Sequence, residues 1–392
     1  MPRGINTNCL HLESEEGRSE HYGSLSYPIY QTATYAHPGV GQSTGYDYTR
    51  LQNPTREHLE KIVLTLENGT DALALSSGMA AIALMMELFK PGDHLIIDSD
   101  LYGGSIRLFD NVSVKNGIEF SAVECYREDV ESYIKENTKA VYIETPTNPM
   151  MNITDIEALS KICRKHNIWL IVDNTFLSPY FQKPLDLGAD IVIHSGTKYL
   201  GGHNDTIAGF VITNKDDISE RLRFLIKTTG AGLAPFDAWL ILRGIKTLGL
   251  RMEKSAGNAG TIADWLITRE NVTKVYYPGL IDHPGHEIMK RQCSGYGAII
   301  TFKVASKEYA HKVLSKVKMI KFAESLGGTE TLITYPITQT HADVPRDVLV
   351  RNGITDTTLR LSVGIEDVKD ILDELEKVFK ETEEELYAGE KS

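Results

Sequence analysis

Apolar and polar positions change rhythm along this chain, and each change marks an element. The first 50 residues are rich in Tyr, Gly, Ser and Thr and carry little periodicity, which predicts an extended arm packed on another surface. Leu59, Ile62, Val63 and Leu66 then recur at the spacing of one helix face, with Asn53-Pro54 suited to cap and open the helix and Asn68-Gly69 to end it. Short apolar runs follow in alternation with helical stretches: DALALSS, GMAAIALMMELF, HLIIDS, AVYIETP, a helix from Thr154, IWLIVDN and ADIVIHS. Such alternation predicts a mainly parallel sheet covered by helices on both faces. For the helix from Thr154, the pattern predicts a capping box of Thr154 and Glu157 and an apolar face of Ile156, Leu159, Ile162 and Cys163.

Past Phe236 the texture shifts to long helices, then strands such as AIITFKV and TTLRLSVG, then a last helix. That helix gathers Val368, Ile371, Leu372, Leu375, Val378 and Phe379 on one face, and its acidic residues form the solvated side. No repeat, low-complexity tract or flexible linker interrupts the pattern. The expected organisation is an arm over 1–50, a large domain over 51–236 and a C-terminal domain over 237–392 packed firmly on it. A length of 392 residues supports two or three domains.

Composition narrows the function classes. Hydrophobic residues at 42% and charged residues at 24% are the balance of an ordinary globular protein. No apolar run approaches the ~20 residues of a membrane helix. The first twenty residues lack the apolar stretch of a secretory signal and are acidic, unlike a transit peptide, so a cytosolic setting is expected. Cys9, Cys125, Cys163 and Cys293 are far apart and read as reduced thiols. A net charge of −12 opposes a polyanionic partner, which disfavours nucleic-acid binding and leaves small-molecule chemistry.

Strands of an open α/β sheet deliver their ligands' contacts at one edge. There Asp173 ends the strand IWLIVD, and the next strand runs into His194-Ser195-Gly196-Thr197-Lys198. A lone loop lysine is usually solvated, but a lysine and a carboxylate converging at one sheet edge are what pyridoxal phosphate needs. The amine forms an imine with its aldehyde, and the carboxylate keeps its pyridine nitrogen protonated. Ser77-Gly78-Met79, between a strand and a helix, can aim backbone N–H groups at a phosphate, and Ser195 and Thr197 can add hydroxyls. Tyr102, after HLIIDS, is placed to lay its ring over the pyridine, although a tyrosine there serves packing equally well. In TTLRLSVG, Leu359, Leu361 and Val363 share one face and leave Arg360 on the other, where a bidentate carboxylate contact is possible.

Rival motifs are missing or weak. No GxGxxG turn follows a strand and no GxxxxGK[ST] loop occurs, which disfavours dinucleotide and nucleotide-triphosphate chemistry. His203 with Asp205, and His283 with His286, lack a third spaced ligand and read as loop or packing residues, so no metal is expected. The glycine pairs 103–104 and 201–202 read as turns of close backbone approach.

In order along the chain, Tyr46-Asp47-Tyr48-Thr49-Arg50 with Asn53-Pro54-Thr55, then SSGMAA, DLYGG, ETPTNP, VDNTF, HSGTKYLGGH, ESLGG and LRLSVGIED resemble the cystathionine γ-synthase, γ-lyase and β-lyase family of Cys/Met metabolism. The resemblance spans nearly the whole chain. It implies a fold of the aspartate-aminotransferase type (fold type I), with a mainly parallel seven-stranded sheet and a smaller C-terminal α/β domain. It also implies pyridoxal 5'-phosphate as cofactor, amino-acid substrates, and a homotetramer built from two active dimers. By motif, Lys198 would carry the cofactor, Asp173 would face its ring nitrogen and Tyr102 would stack on it. Gly78, Met79, Ser195 and Thr197 would hold the phosphate, completed by Tyr48 and Arg50 of a neighbouring subunit. Thr175 would join the cofactor site, and Asn148 would sit near the cofactor hydroxyl and the substrate carboxylate. Arg360 and Ser325 would take that carboxylate, and Asp47, Arg107 and Glu324 would face the distal part of cystathionine.

The chemistry so implied begins with Cα-proton removal by Lys198 and proceeds through deprotonation at Cβ and loss of a γ-substituent. Thiol addition then gives γ-replacement, whereas hydrolysis gives a 2-oxo acid. Methionine γ-lyases resemble the chain less, because they carry cysteine at the place of Gly104. STGYDYTRLQNPTR and YPITQTHADVP look nearer to γ-synthases and acylhomoserine thiolyases. The first expectation is therefore γ-replacement on an O-acylhomoserine by cysteine, with sulfide as a possible second nucleophile. Cystathionine γ- or β-elimination is the runner-up, and a non-catalytic cofactor-binding protein is a remote third.

Overall fold

The computed structural model describes residues 3–11 and 21–387. In it, the side chain of Asn53 accepts from the backbone N–H of Thr55 and Arg56 and starts the helix Pro54–Glu67, which stops at Asn68 in the left-handed conformation, φ 59°. Leu59, Ile62, Val63 and Leu66 are all buried on its inner face, each contributing about 1.5–3 kcal/mol of hydrophobic stabilisation.

Seven strands follow: β1 (Asp71–Leu75), β2 (His94–Asp98), β3 (Glu119–Val123), β4 (Thr138–Glu144), β5 (Trp169–Asp173), β6 (Ile191–Ser195) and β7 (Gly209–Thr213). They form one sheet in the order β1-β7-β6-β5-β4-β2-β3. Pairing is parallel from β3 to β6, and β7 alone runs antiparallel to its neighbours β6 and β1. Alternate residues enter different apolar layers, Leu170 and Val172 on one side and Ile171 on the other, because helices cover both faces. The register sets Glu144 opposite Asp173 and Asp173 opposite Ile193. The carboxyl ends of β4, β5 and β6 therefore finish side by side.

A second sheet holds β8 (Val272–Tyr276), β9 (Ile299–Val304), β10 (Lys321–Phe322), β11 (Leu332–Thr334) and β12 (Thr358–Ser362), in the order β10-β11-β12-β9-β8. Leu359, Leu361 and Val363 pack in one apolar cluster with Ile371, Leu375, Val378 and Phe379 of the last helix, Val368–Tyr387. Arg360 takes the opposite face, in register with Thr334 and Thr301. Thr301 Oγ1 donates to Pro149 O at 2.5 Å, so this face lies against the loop after β4.

One local expectation is corrected. The helix Ile156–His166 is capped by Asp155, whose side chain accepts from Ala158 N at 3.0 Å. Thr154 lies one residue outside, its N–H donated to Thr145 Oγ1 and its own Oγ1 buried without a partner. Glu157 pairs with Lys161 instead of reaching back to the cap. A carboxylate meets the positive helix start better than a hydroxyl, and the buried Thr145 contact fixes Thr154 upstream.

Of the expected arm, residues 1–2 and 12–20 lie outside the described residues. Residues 21–50 are mostly exposed and tie back through Pro28 O and Tyr30 N to Thr55 Oγ1. All four cysteines carry free thiols. Among the described residues no helix is long and apolar enough to cross a membrane.

Candidate active site

Where the two sheets face each other, a cavity of about 380 Å³ opens over the carboxyl ends of β4, β5 and β6. Asp173 and Thr175 line its floor, Ser77, Gly78 and Met79 one end, and Ser195, Thr197 and Lys198 the adjoining side. Tyr102, Asn148, Glu324, Ser325 and Arg360 also line it. The topology thus brings together twelve of the residues proposed from sequence: Gly78, Met79, Tyr102, Asn148, Asp173, Thr175, Ser195, Thr197, Lys198, Glu324, Ser325 and Arg360.

Four others stand elsewhere in this chain. Tyr48 is exposed, with the Arg50 guanidinium 5.6 Å from its ring centre, and Arg50 donates to Lys227 O. Asp47 accepts from Ser43 Oγ at 2.7 Å. Arg107 turns outward to Asp343, at 2.5 Å. His203 and His286 direct their Nδ1 atoms to the carbonyls of Gly201 and Pro278, and no group of three or more potential metal ligands occurs among the described residues.

The anion end is built by close backbone approach. Ser77 caps the helix Gly78–Met86 through Ala80 N, which leaves the N–H groups of Gly78 and Met79 at the positive end of the helix. A Cβ on Gly209 would lie 2.0 Å from Ser77 O, so glycine lets this loop rest directly on β7. Thr197 Oγ1 is 3.1 Å from Ala208 N, and Ser195 N donates to Thr175 Oγ1 at 2.8 Å.

Two buried carboxyls share the floor and carry different charge. Burial raises the pKa of both Asp173 and Glu144, and the like charge of Asp173 raises that of Glu144 further. Asp173 accepts from Thr175 Oγ1 (2.6 Å), Thr175 N (3.0 Å) and Tyr142 Oη (3.4 Å), whereas Glu144 accepts from Tyr102 N at 2.9 Å. The richer donor set assigns the negative charge to Asp173 and the proton to Glu144. Sequence reading passed over Glu144, although it ends β4 as Asp173 ends β5. Phe176, Ile207 and Thr340, also in the cavity wall, were missed too.

Lys198 Nζ donates to Ser325 Oγ at 2.9 Å. Burial, and then the positive charge of Arg360, lower its pKa to about 8, against a smaller opposing effect of Glu324. Arg360 is 1% exposed. It donates to Asn148 Oδ1 (2.8 Å), Ser325 O (2.7 Å) and Thr334 Oγ1 (3.2 Å), and its Nε is buried without a partner. Ser325 adopts φ +85°, a strained conformation for a residue with a side chain. Asn148 is fixed in turn by His341 Nε2, 3.0 Å from its carbonyl.

A family model described as Cys/Met metabolism PLP-dependent enzyme matches residues 6–380. The chain belongs to this family. It is 50% identical over 357 residues to the cystathionine gamma-lyase of Bacillus subtilis (strain 168), covering 91% of this chain and 94% of that one. It is 47% identical over 363 residues to the cystathionine gamma-synthase/O-acetylhomoserine (thiol)-lyase of the same strain, covering 92% and 93%. The solved cystathionine gamma-lyase from Lactobacillus plantarum complexed with L-serine superposes with a TM-score of 0.93 at 43% identity, covering 96% of this chain and 99% of that chain. The protein is therefore a pyridoxal-phosphate enzyme acting on small amino-acid substrates, with the fold expected from its motifs. Lyase and synthase relatives stand at similar identity, so membership alone does not select the reaction.

Its residues suit that cofactor. A buried amine of lowered pKa, a buried carboxyl that accepts three hydrogen bonds and a glycine-lined helix start lie around one cavity, together with the Arg360 guanidinium.

Proposed function

We propose that the enzyme catalyses γ-replacement on an O-acylhomoserine with cysteine, yielding cystathionine and the free acid. The observation that carries this reading is the placing of Lys198, Arg360 and the acidic side chain of Glu324 around one cavity. With O-acylhomoserine held by its α-carboxylate at Arg360, its distal end extends toward Glu324, where the acidic side chain suits the amino group of the incoming cysteine.

Bound pyridoxal phosphate supplies the electron sink that acidifies the substrate Cα–H. Gly78, Met79, Ser195 and Thr197 would hold its phosphate, with Tyr48 and Arg50 added from a second copy of the chain. Asp173, fixed by Thr175, would hold the proton on its ring nitrogen, and Tyr102 would cover the ring. Arg360, Asn148 and Ser325 orient the substrate carboxylate. Lys198, neutral above about pH 8, takes the proton from Cα and returns it. Glu324 is within this cavity; Asp47 and Arg107 would reach the distal end only from a second copy or after movement of the Asp343 segment. Such sharing fits a homotetramer of two active dimers, and we propose with it a cytoplasmic setting and a division of the chain into 1–50, 51–236 and 237–392.

A second reading, γ-elimination of cystathionine, has the 50% identical lyase in its favour. Comparing kcat/KM for O-acetyl- or O-succinylhomoserine plus cysteine with kcat/KM for cystathionine alone separates the two. Formation of cystathionine at the higher efficiency is expected, and preferential cleavage of cystathionine refutes γ-replacement. Purified protein is expected to be yellow, and borohydride to fix the cofactor mass on the Lys198 peptide; fixation on another lysine refutes the site assignment.

A further inference from the structure

Behind Asp173, away from the cavity, lies a buried carboxylate that none of the roles above uses. Glu67 is the last residue of the helix Pro54–Glu67 and is 0% exposed. Its Oε1 accepts from His194 Nε2 at 2.5 Å and from Asn174 Nδ2 at 3.0 Å, while Oε2 is buried with no partner. On stability grounds this placing is poor. A carboxylate at a helix C-terminus opposes the macrodipole, and an unpartnered buried oxygen costs about 1–3 kcal/mol.

Its partners explain the position. Asn174 directly follows Asp173, and His194 directly precedes Ser195, so one carboxylate ties together the two strand ends that carry the cofactor site. Asn174 is held further by Gln182, donating to Gln182 O and accepting from Gln182 Nε2. His194 is 1% exposed, lies next to β5, and faces Phe210 across β7. The charged groups that act with it are Glu67 on the helix and Asp173 on β5.

We infer that Glu67 is a positioning residue that, by tying Asn174 to His194, fixes the strand ends that carry Asp173 and Ser195 and so holds Asp173 against the cofactor ring nitrogen. The electrostatics agree, since His194 lowers the proton affinity of Asp173 against its burial. This inference rests on the site assignment proposed above.

The test is a pH titration of the visible absorption of the bound cofactor, with cofactor affinity measured beside it, in wild type, Glu67→Gln and His194→Gln. Glutamine at 67 keeps an oxygen for Asn174 but removes the charge. Without charge on Glu67 the imidazole loses its anchor, Asp173 binds its own proton more readily, and the cofactor ring becomes less positive. The spectral midpoint is then expected to move to higher pH, and cofactor dissociation to become about tenfold easier, in both variants. A folded Glu67→Gln protein that titrates and retains cofactor like wild type overturns the inference, and His194→Gln decides in the same way if Glu67→Gln does not fold. Wild type lacking any cofactor spectrum refutes the site assignment itself, which is a separable result.

Discussion

On the wall made by the large sheet, Asp173 takes hydrogen bonds from Thr175 N, Thr175 Oγ1 and Tyr142 Oη, all within its own sheet and turn. On the wall made by the small sheet, Arg360 sits in mid-strand, buried, with Nε unpaired. The first wall is satisfied before anything binds. The second carries a buried donor whose desolvation costs about 1–3 kcal/mol, and in the function proposed above a substrate carboxylate would meet this wall. In the proposed function the first wall would hold the resident group and the second the passing one.

The sharpest way to break this contrast is at the lysine between the walls. Lys198→Ala is expected to lower turnover by on the order of 10³-fold or more, with thermal melting of the protein unchanged within a few degrees. Steady-state rates and a melting curve decide it, and a variant of near-normal rate refutes Lys198 as the base.

Arg360→Ala should lower kcat/KM by roughly 10²-fold, chiefly through KM, since hydrogen bonds to charged groups are worth about 1.5–3 kcal/mol each. Cofactor content, read by absorbance, is expected to stay at the wild-type level. Loss of cofactor from this variant would mean that the two walls are not separate in function.

The pH profile refines the point. Lys198 acts as a base only when neutral, and burial and Arg360 bring its pKa down to about 8. Proton abstraction should therefore be weak below that value, rise through it and level off above. In Arg360→Ala the midpoint should move upward, because a neighbouring positive charge that disfavours the ammonium is gone.

The smallest effect concerns the helix Ile156–His166, which leads into β5. Asp155→Ala is expected to cost about 1 kcal/mol in denaturant unfolding as a lost N-cap. Thr154→Val should change stability by less than about 0.5 kcal/mol or raise it, because the buried Thr154 hydroxyl has no partner to lose.

Much of this site was readable because its signals are short in sequence. Period-two and period-3.6 apolar patterns marked the strands and helices, and the rule that parallel strands present ligands at their carboxyl ends led to Asp173 and Lys198. The same rule applied to β4 would have found Glu144. No local rule could find Thr340, which meets the cavity from a segment far along the chain.

The sequence alone determined which side chains stand at strand ends, which face of β12 bears Arg360, and which family the chain resembles, because alternation and helix starts are fixed by neighbours a few residues apart. Tertiary packing decided the rest. It set Asp155 instead of Thr154 at a helix start, turned Arg107 toward Asp343 and out of the cavity, and brought Glu67 under His194, 127 positions away in the chain. Such pairings depend on where whole elements come to lie, and a buried charge takes whatever partner the fold sets within its reach.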